Sequence, residues 1–274
     1  MAKLIQYMTR ASAFDGEWKW QAAGMCYILQ LDNRELILID GGHPADAEEI
    51  VSFLEEISEG RPSVRAWILT HPHGDHIGAL GKIVAEPGLL GRLDIKEVCF
   101  DAPEEFTFGE GRNIAGEISI LKRIAECGVK YIRPSSGDTL TFDRARINFL
   151  FTYRDAEKLT DPNELSLVFS IEVGNKKIMF TGDAYSRPLD ALAEKHADRL
   201  PCDICQLAHH ALNGGSVPFY SAVGANTVLV PISRSGYEAM KAERYDKINA
   251  PARYAISHAK EAVYAFNGHT VIEL

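Results

Sequence analysis

Residues 70–78 read Thr-His-Pro-His-Gly-Asp-His-Ile-Gly and follow directly on the apolar run Ala66-Trp67-Ile68-Leu69. Three imidazoles and one carboxylate therefore fall within six residues at the end of a strand. Imidazole nitrogen and carboxylate oxygen suit zinc, iron or manganese. A chain with this segment must fold so that a strand end opens onto a small polar volume. The plain alternative is a loop of surface histidines in which Asp75 caps the next helix. The scarcity of histidine, nine in 274 residues, argues against such a chance run.

A metal site needs ligands from other strand ends as well, and three places supply them. Asp40 closes an apolar run and is followed by Gly41-Gly42. Asp183 stands in Phe180-Thr181-Gly182-Asp183, just past another run. His209-His210 follow Leu207-Ala208. Taken singly, Asp183 reads as a turn residue and His209 as a core histidine. Taken together, five of the nine histidines lie in two strand-end clusters with an acid ending a strand between them. Asp40 reads better as a group that orients the histidine loop than as a ligand. The other four histidines read as ordinary residues, His196 as a solvated one in a polar helix; a place at the cleft is the lesser alternative for His43, after the Asp40 turn, and for His258.

The pattern of apolar residues predicts strands at 3–8, 25–31, 35–40, 65–70, 95–100, 130–133, 138–142, 145–152, 165–173, 176–181, 203–208 and 226–232. Helices are predicted at 46–59, 75–84, 114–127, 187–197, 216–223 and 237–248, with two or three short strands closing the chain. Gly174-Asn175 marks a hairpin turn. Alternating elements without a repeat or low-complexity linker point to one α/β domain spanning 1–274. The segment 101–113 reads as an acidic, phenylalanine-bearing loop, either a lid or a partner surface.

Composition narrows the function. Hydrophobic residues make up 46% and charged residues 24%, an ordinary globular balance. No apolar run reaches the ~20 residues that span a bilayer, and the first residues read as a strand, so the expected location is the cytoplasm. The net charge of −9 argues against strong non-specific binding of nucleic acid. It leaves room for a small phosphate-bearing substrate, because bound cations reverse the local field. The five cysteines, including the Cys202-Asp203-Ile204-Cys205 pair, read as reduced, mostly buried thiols.

These residues resemble the metallo-β-lactamase superfamily over about residues 25–235. Asp40-Gly41-Gly42 is similar to its first motif, His71-Pro72-His73-Gly74-Asp75-His76 to its signature, Asp183 to its bridging carboxylate and His209 to its last ligand histidine. Asn163-x-Leu165-Ser166-Leu167-Val168, the Thr-Gly-Asp motif and the double histidine before Gly214-Gly215-Ser216 resemble the hydrolase domain of DNA-uptake competence proteins and their soluble relatives. There the usual His-His-Gly-Ser is stretched to His209-His210-Ala211-Leu212-Asn213-Gly214-Gly215-Ser216. The resemblance implies a four-layer αββα sandwich with the site at one edge between two sheets.

It also implies a binuclear centre of one or two divalent ions, zinc or manganese/iron. One ion would have His71, His73 and Asp183. The other would have Asp75, His76, Asp183 and His209. The extra histidine that most hydrolases of the superfamily carry is absent, since none occurs between His76 and His196. Asn163 stands near that position as a weak ligand. Water on such a centre has its pKa lowered from 15.7 to about 7, which implies hydrolysis of an ester-like bond. Asp75 and His210 are the candidate catalytic groups beside it. Sequence alone does not separate His209 from His210 as the ligand, and His209 is preferred because the family's ligand histidine directly follows the strand. Arg234 and Tyr237 are candidate contacts to an anionic substrate. Three functions follow from this reading: a phosphodiesterase-like hydrolase of a small or nucleotide-like substrate, a hydrolase of carboxylic esters, lactones or thioesters, and a degenerate scaffold.

Overall fold

The computed structural model describes residues 1–14, 23–103, 107–108, 112–113, 115–156, 159–242 and 249–274. Two sheets dominate the described residues. The first has the order Thr270–Glu273, Lys3–Gln6, Cys26–Gln30, Leu36–Asp40, Ser63–Ile68, Glu97–Cys99, Lys130–Ile132, with Asp94–Ile95 also pairing to Ser63–Ile68. The second has the order Thr139–Phe142, Ala145–Phe151, Val168–Val173, Lys176–Phe180, Ile204–Gln206, Thr227–Val230, Glu261–Tyr264. Each sheet is antiparallel on one side and parallel on the other. Leu36–Asp40, Ser63–Ile68 and Glu97–Cys99 run parallel in the first. Lys176–Phe180, Ile204–Gln206 and Thr227–Val230 run parallel in the second.

The alternation of side chains explains why two sheets need four layers. In Leu36–Asp40 every residue is buried. Leu36 and Leu38 pack with Ile50, Leu54 and Leu80, from the helices Ala47–Ser58 and Gly74–Ala85. Ile37 and Ile39 turn the other way, onto Phe149, Phe169 and Phe180 of the second sheet. The far face of that sheet, with Met179, Cys205 and Val228, is covered by Leu189 and Leu192 of Ser186–His196 and by Phe219 and Val223 of Val217–Val223. A strand buried on both faces reads as an unbroken apolar run, and the runs at 36–39, 66–69 and 178–180 are of this kind. The order is helices, sheet, sheet, helices, as the resemblance implied.

Most expected elements are present with ends shifted by one to three residues. Three differences have physical causes. The helix expected at 237–248 begins earlier, at Arg234, because Ser233 caps it by accepting from the Gly236 amide; it ends at Lys241, and 243–248 lie outside the described residues. Only short strands were expected at the close of the chain, yet Ala250–His258 is helical. Its buried residues are Ala252 and Ala255, whose small side chains leave little amphipathic signal. The 101–113 loop is described only in part; Thr107–Phe108 and Arg112–Asn113 pair as a short ribbon, and the rest of its expected role lies outside the described residues. No helix among the described residues is long and apolar enough to cross a membrane.

The inter-sheet layer beneath the site is packed with buried aromatic side chains. Phe169 is fully buried there and lies 5.3 Å from Phe180 in a stacked arrangement. Phe169→Ala is expected to cost about 3–5 kcal/mol, read as a lowered midpoint in urea unfolding with an unchanged slope.

Candidate metal centre

Parallel strands from both sheets end on the same side of the molecule, and the sequence-flagged residues gather there. Leu36–Asp40 delivers Asp40, Ser63–Ile68 leads to Thr70 and His71, Lys176–Phe180 leads to Asp183, and Ile204–Gln206 leads to the double histidine. One hydrogen bond joins the two sheets here, the Leu167 amide donating to the Thr70 carbonyl, and a second links neighbouring strand ends of the second sheet, the His209 amide donating to the Gly182 carbonyl. Gly182 has φ +52, and a Cβ there would stand 2.8 Å from Thr70 Cβ and 3.0 Å from Ser166 Oγ. Only glycine permits that approach of the two sheets. Buried Gln206 fixes the same turn: its Oε1 accepts from the Thr181 amide at 2.8 Å and its Nε2 donates to the Gly182 carbonyl at 3.0 Å.

Asp40 organises the histidine side. Its own backbone takes a left-handed φ of +55. Oδ1 accepts from the Thr70 amide at 2.8 Å, and Oδ2 accepts from Thr70 Oγ1 at 2.8 Å. Oδ2 also meets His76 Nδ1 at 2.7 Å, which leaves His76 Nε2 to face the cluster. This is the carboxylate–histidine arrangement that fixes a metal-binding ring. Asp75 does not cap the helix that starts at Gly74. Its carboxylate instead lies 3.0 Å from His210 Nε2.

Two groups result. Asp75, His76, Asp183 and His210 each offer one atom, all within 4.8 Å of one another, and His71, His73 and Asp183 do the same. Asp183 belongs to both. His76 Nε2 is 3.3 Å from Asp183 Oδ1, His210 Nε2 is 3.4 Å from Asp183 Oδ2, and His71 Nε2 is 3.6 Å from Asp183 Oδ2. None of these is aligned as a hydrogen bond: His76 Nε2, Asp183 Oδ1 and His210 Nε2 are buried without a hydrogen-bond partner. Three buried polar atoms left bare would each cost about 1–3 kcal/mol. They converge on one point, and nitrogen and oxygen donors of this kind fit a divalent cation.

The geometry exchanges the two neighbouring histidines. His210, expected as an acid–base group, joins the four-residue group, while His209, expected as the ligand, does not. His209 Nε2 lies 3.8 Å from Asp183 Oδ2 and its ring packs 5.3 Å from Tyr185. The cause is a turn of opposite hand: His209, His210 and Ala211 have φ of +50, +54 and +58. Such a run costs about 1–2 kcal/mol per residue, and no local sequence signal announces it. Asn163 is buried beside the site, donating from Nδ2 to Tyr185 Oη at 2.8 Å, and its Oδ1 has no hydrogen-bond partner.

Other expected residues are placed elsewhere. Arg234 donates to the Phe266 carbonyl and lies over the Phe266 ring at 4.7 Å. Tyr237 packs on Tyr264 and Phe266. Neither has a contact with the cluster among the described residues. His258 stacks on Tyr254 at 4.0 Å, and His43 caps the short helix at Pro44–Asp46.

Residues 21–218 match the family model of the metallo-beta-lactamase superfamily. The chain belongs to that superfamily. The metallo-beta-lactamase fold protein YhfI from Bacillus subtilis superimposes with a TM-score of 0.61 at 16% identity over the whole of both chains. Zn(2+)-bound PqqB from Methylobacterium extorquens does so with 0.58 at 10%, again over both whole chains. A diphosphatase of the PhnP family gives 0.53 at 16%, over all of this chain and 98% of that one. At these identities the likeness establishes the fold of this superfamily member.

The carboxylates and imidazoles of the cluster stabilise one another's charged forms against burial. Burial works against a charged His210, but the Asp183 and Asp75 carboxylates outweigh it and raise its pKa to about 9. Burial likewise works against ionised Asp183, but His76, His210 and His209 hold it well below the usual carboxylate range. His71 is pushed well below the ordinary histidine value by burial and by neighbouring His76. A proton on His210 must leave before a cation can take its Nε2. Zinc uptake is therefore expected to release a proton from His210 below pH about 9, with the release fading above it. Calorimetry in buffers of different ionisation enthalpy measures it. Asp40→Asn is expected to weaken zinc affinity about 10–100-fold with little loss of secondary structure, as read by competition with a chromophoric chelator and by circular dichroism.

Proposed function

We propose that this chain is a metal-dependent hydrolase acting on a phosphodiester or another small phosphate-bearing substrate. The observation that carries the hydrolase reading is the convergence of His76 Nε2, His210 Nε2 and Asp183 Oδ1, all buried and without hydrogen-bond partners, beside Asp75. Asp75, His76, Asp183 and His210 would hold one cation. His71, His73 and Asp183 would hold a second, with Asp183 shared and Asn163 the nearest amide to supplement it. A bound divalent cation makes hydroxide available near neutral pH and polarises the bond under attack. Asp40 keeps the Nε2 of His76 turned inward, Ser166 Oγ accepts from the Asp183 amide at 3.0 Å, and Thr181 and Gln206 hold the turn that carries Asp183.

The phosphate preference is supported by the motif resemblance to the competence-type hydrolase domain and by the fold likeness to a diphosphatase. The acidic net charge favours a small substrate over a long nucleic acid. Hydrolysis of bis(p-nitrophenyl) phosphate, compared with a lactone and a thioester panel in added manganese or zinc, tests the preference. Faster turnover of the phosphodiester is expected, and turnover of the lactone or thioester alone would replace it with the ester reading. Asp183→Asn is expected to lower kcat/KM about 10²–10³-fold and to reduce bound metal in parallel.

The two groups differ in ligand number, four residues against three. Protein dialysed against a weak chelator should therefore retain about one metal ion per chain, lost last from the Asp75 group. Elemental analysis of the wild type beside His71→Ala and His210→Ala reads this. His71→Ala should keep the retained ion and His210→Ala should lose it.

A further inference from the structure

The strand next to Ser63–Ile68 in the first sheet is Glu97–Cys99, and it too runs toward the cluster. The pairing of Ile68 with Cys99 carries on through the Leu69 amide, which donates to the Cys99 carbonyl. Continuing that register places Asp101 across from Thr70, and neighbouring strands lie about 4.8 Å apart. Cys99 faces the inter-sheet layer and Phe100 the helices, so Asp101 points as Thr70 does, toward the second sheet.

Asp101 is fully buried. Its Oδ1 accepts from Arg133 Nε at 2.9 Å and from Arg154 Nη2 at 3.0 Å. Arg154 arrives from the second sheet, three residues past the end of Ala145–Phe151, and its other terminal nitrogen donates to Ser135 Oγ at 3.0 Å. Its guanidinium also stands 5.6 Å over the ring of Tyr153. The group is thus held on three sides while its side chain keeps 42% of its surface open. A fully exposed arginine would not be so constrained. A fixed, half-open guanidinium bound to Asp101, one strand over from Thr70, is a ready partner for a phosphate oxygen.

We infer that Arg154, fixed by Asp101 and Ser135, is an anion-recognising side chain of the cleft and takes a second phosphate of the substrate, beyond the one at the cation groups. This rests on the phosphate reading above for the role of the bound molecule, but the contact itself is tested without turnover. Asp101 and Arg133 are positioning residues in this arrangement, since they act through Arg154.

The probes are thymidine 5′-monophosphate and thymidine 3′,5′-bisphosphate, titrated by calorimetry into the zinc-loaded full chain. The wild type is expected to bind the bisphosphate about 10- to 100-fold more tightly than the monophosphate. Arg154→Gln should erase that difference while leaving monophosphate affinity unchanged. Arg154→Lys, which keeps the charge but not the fork, should retain part of it. Thermal melting of each variant identifies any that fail to fold, and the Lys variant then carries the comparison. No preference in the wild type, or a preference that survives Arg154→Gln, would overturn the inference. A bisphosphate preference that depends on Arg154 in a protein unable to cleave bis(p-nitrophenyl) phosphate would uphold the subsite and remove only the phosphodiesterase reading. An equal loss of affinity for both probes in Arg154→Gln would mark Arg154 as a clamp between the sheets and overturn it as well.

Discussion

The carboxylate of Asp40 is the contact on which the arrangement of the site depends. One buried side chain holds the Thr70 amide, the Thr70 hydroxyl and Nδ1 of His76 at once. Those bonds tie the first strand end to the second and set the direction of the imidazole between them. The cost of a buried charge is offset only where every lone pair has a donor, and Asp40 approaches that condition with three. From this fixed corner the chain can bring Asp183 and His210 across from the other sheet.

The two sheets make unequal contributions. The first supplies a continuous run of ligand-type residues, His71 to His76, on a loop and the first turn of one helix. The second supplies single residues on tight turns, and it needs backbone geometry of low probability to do so. Gly182 admits Thr70 because it has no side chain, and the His209–Ala211 turn coils with the opposite hand to an ordinary helix. Strain of this kind persists where surrounding contacts over-determine it. Here the His209 amide bond to Gly182, the Tyr220 hydroxyl accepting from the Ala208 amide and the His210 ring on the Pro231 carbonyl provide them.

The sequence was most readable where chemistry and periodicity coincide. Apolar runs that end abruptly in His71, Asp183 or His209-His210 mark both the strands and the edge where they terminate, because buried parallel strands leave no polar residue until they emerge. Asp40 was readable in the same way. The order of His209 and His210 was not, since it is decided by torsions that alanine and histidine adopt only under tertiary constraint. The helix Ala250–His258 was hidden by its alanines, which bury little area and so leave no stripe. Arg154 went unremarked because its meeting with Asp101 arises from strand order and register. Arg234 drew notice by its residue type, yet the aromatic side chains at the end of the chain engage it.

The donors gathered at Asp183 come from both sheets, and a cation seated among them would act as a rivet through the sandwich. Slipping one sheet against the other would then require its release. Resistance to mechanical or thermal separation of the halves would accordingly track metal occupancy, and the ion would serve the architecture as well as the chemistry.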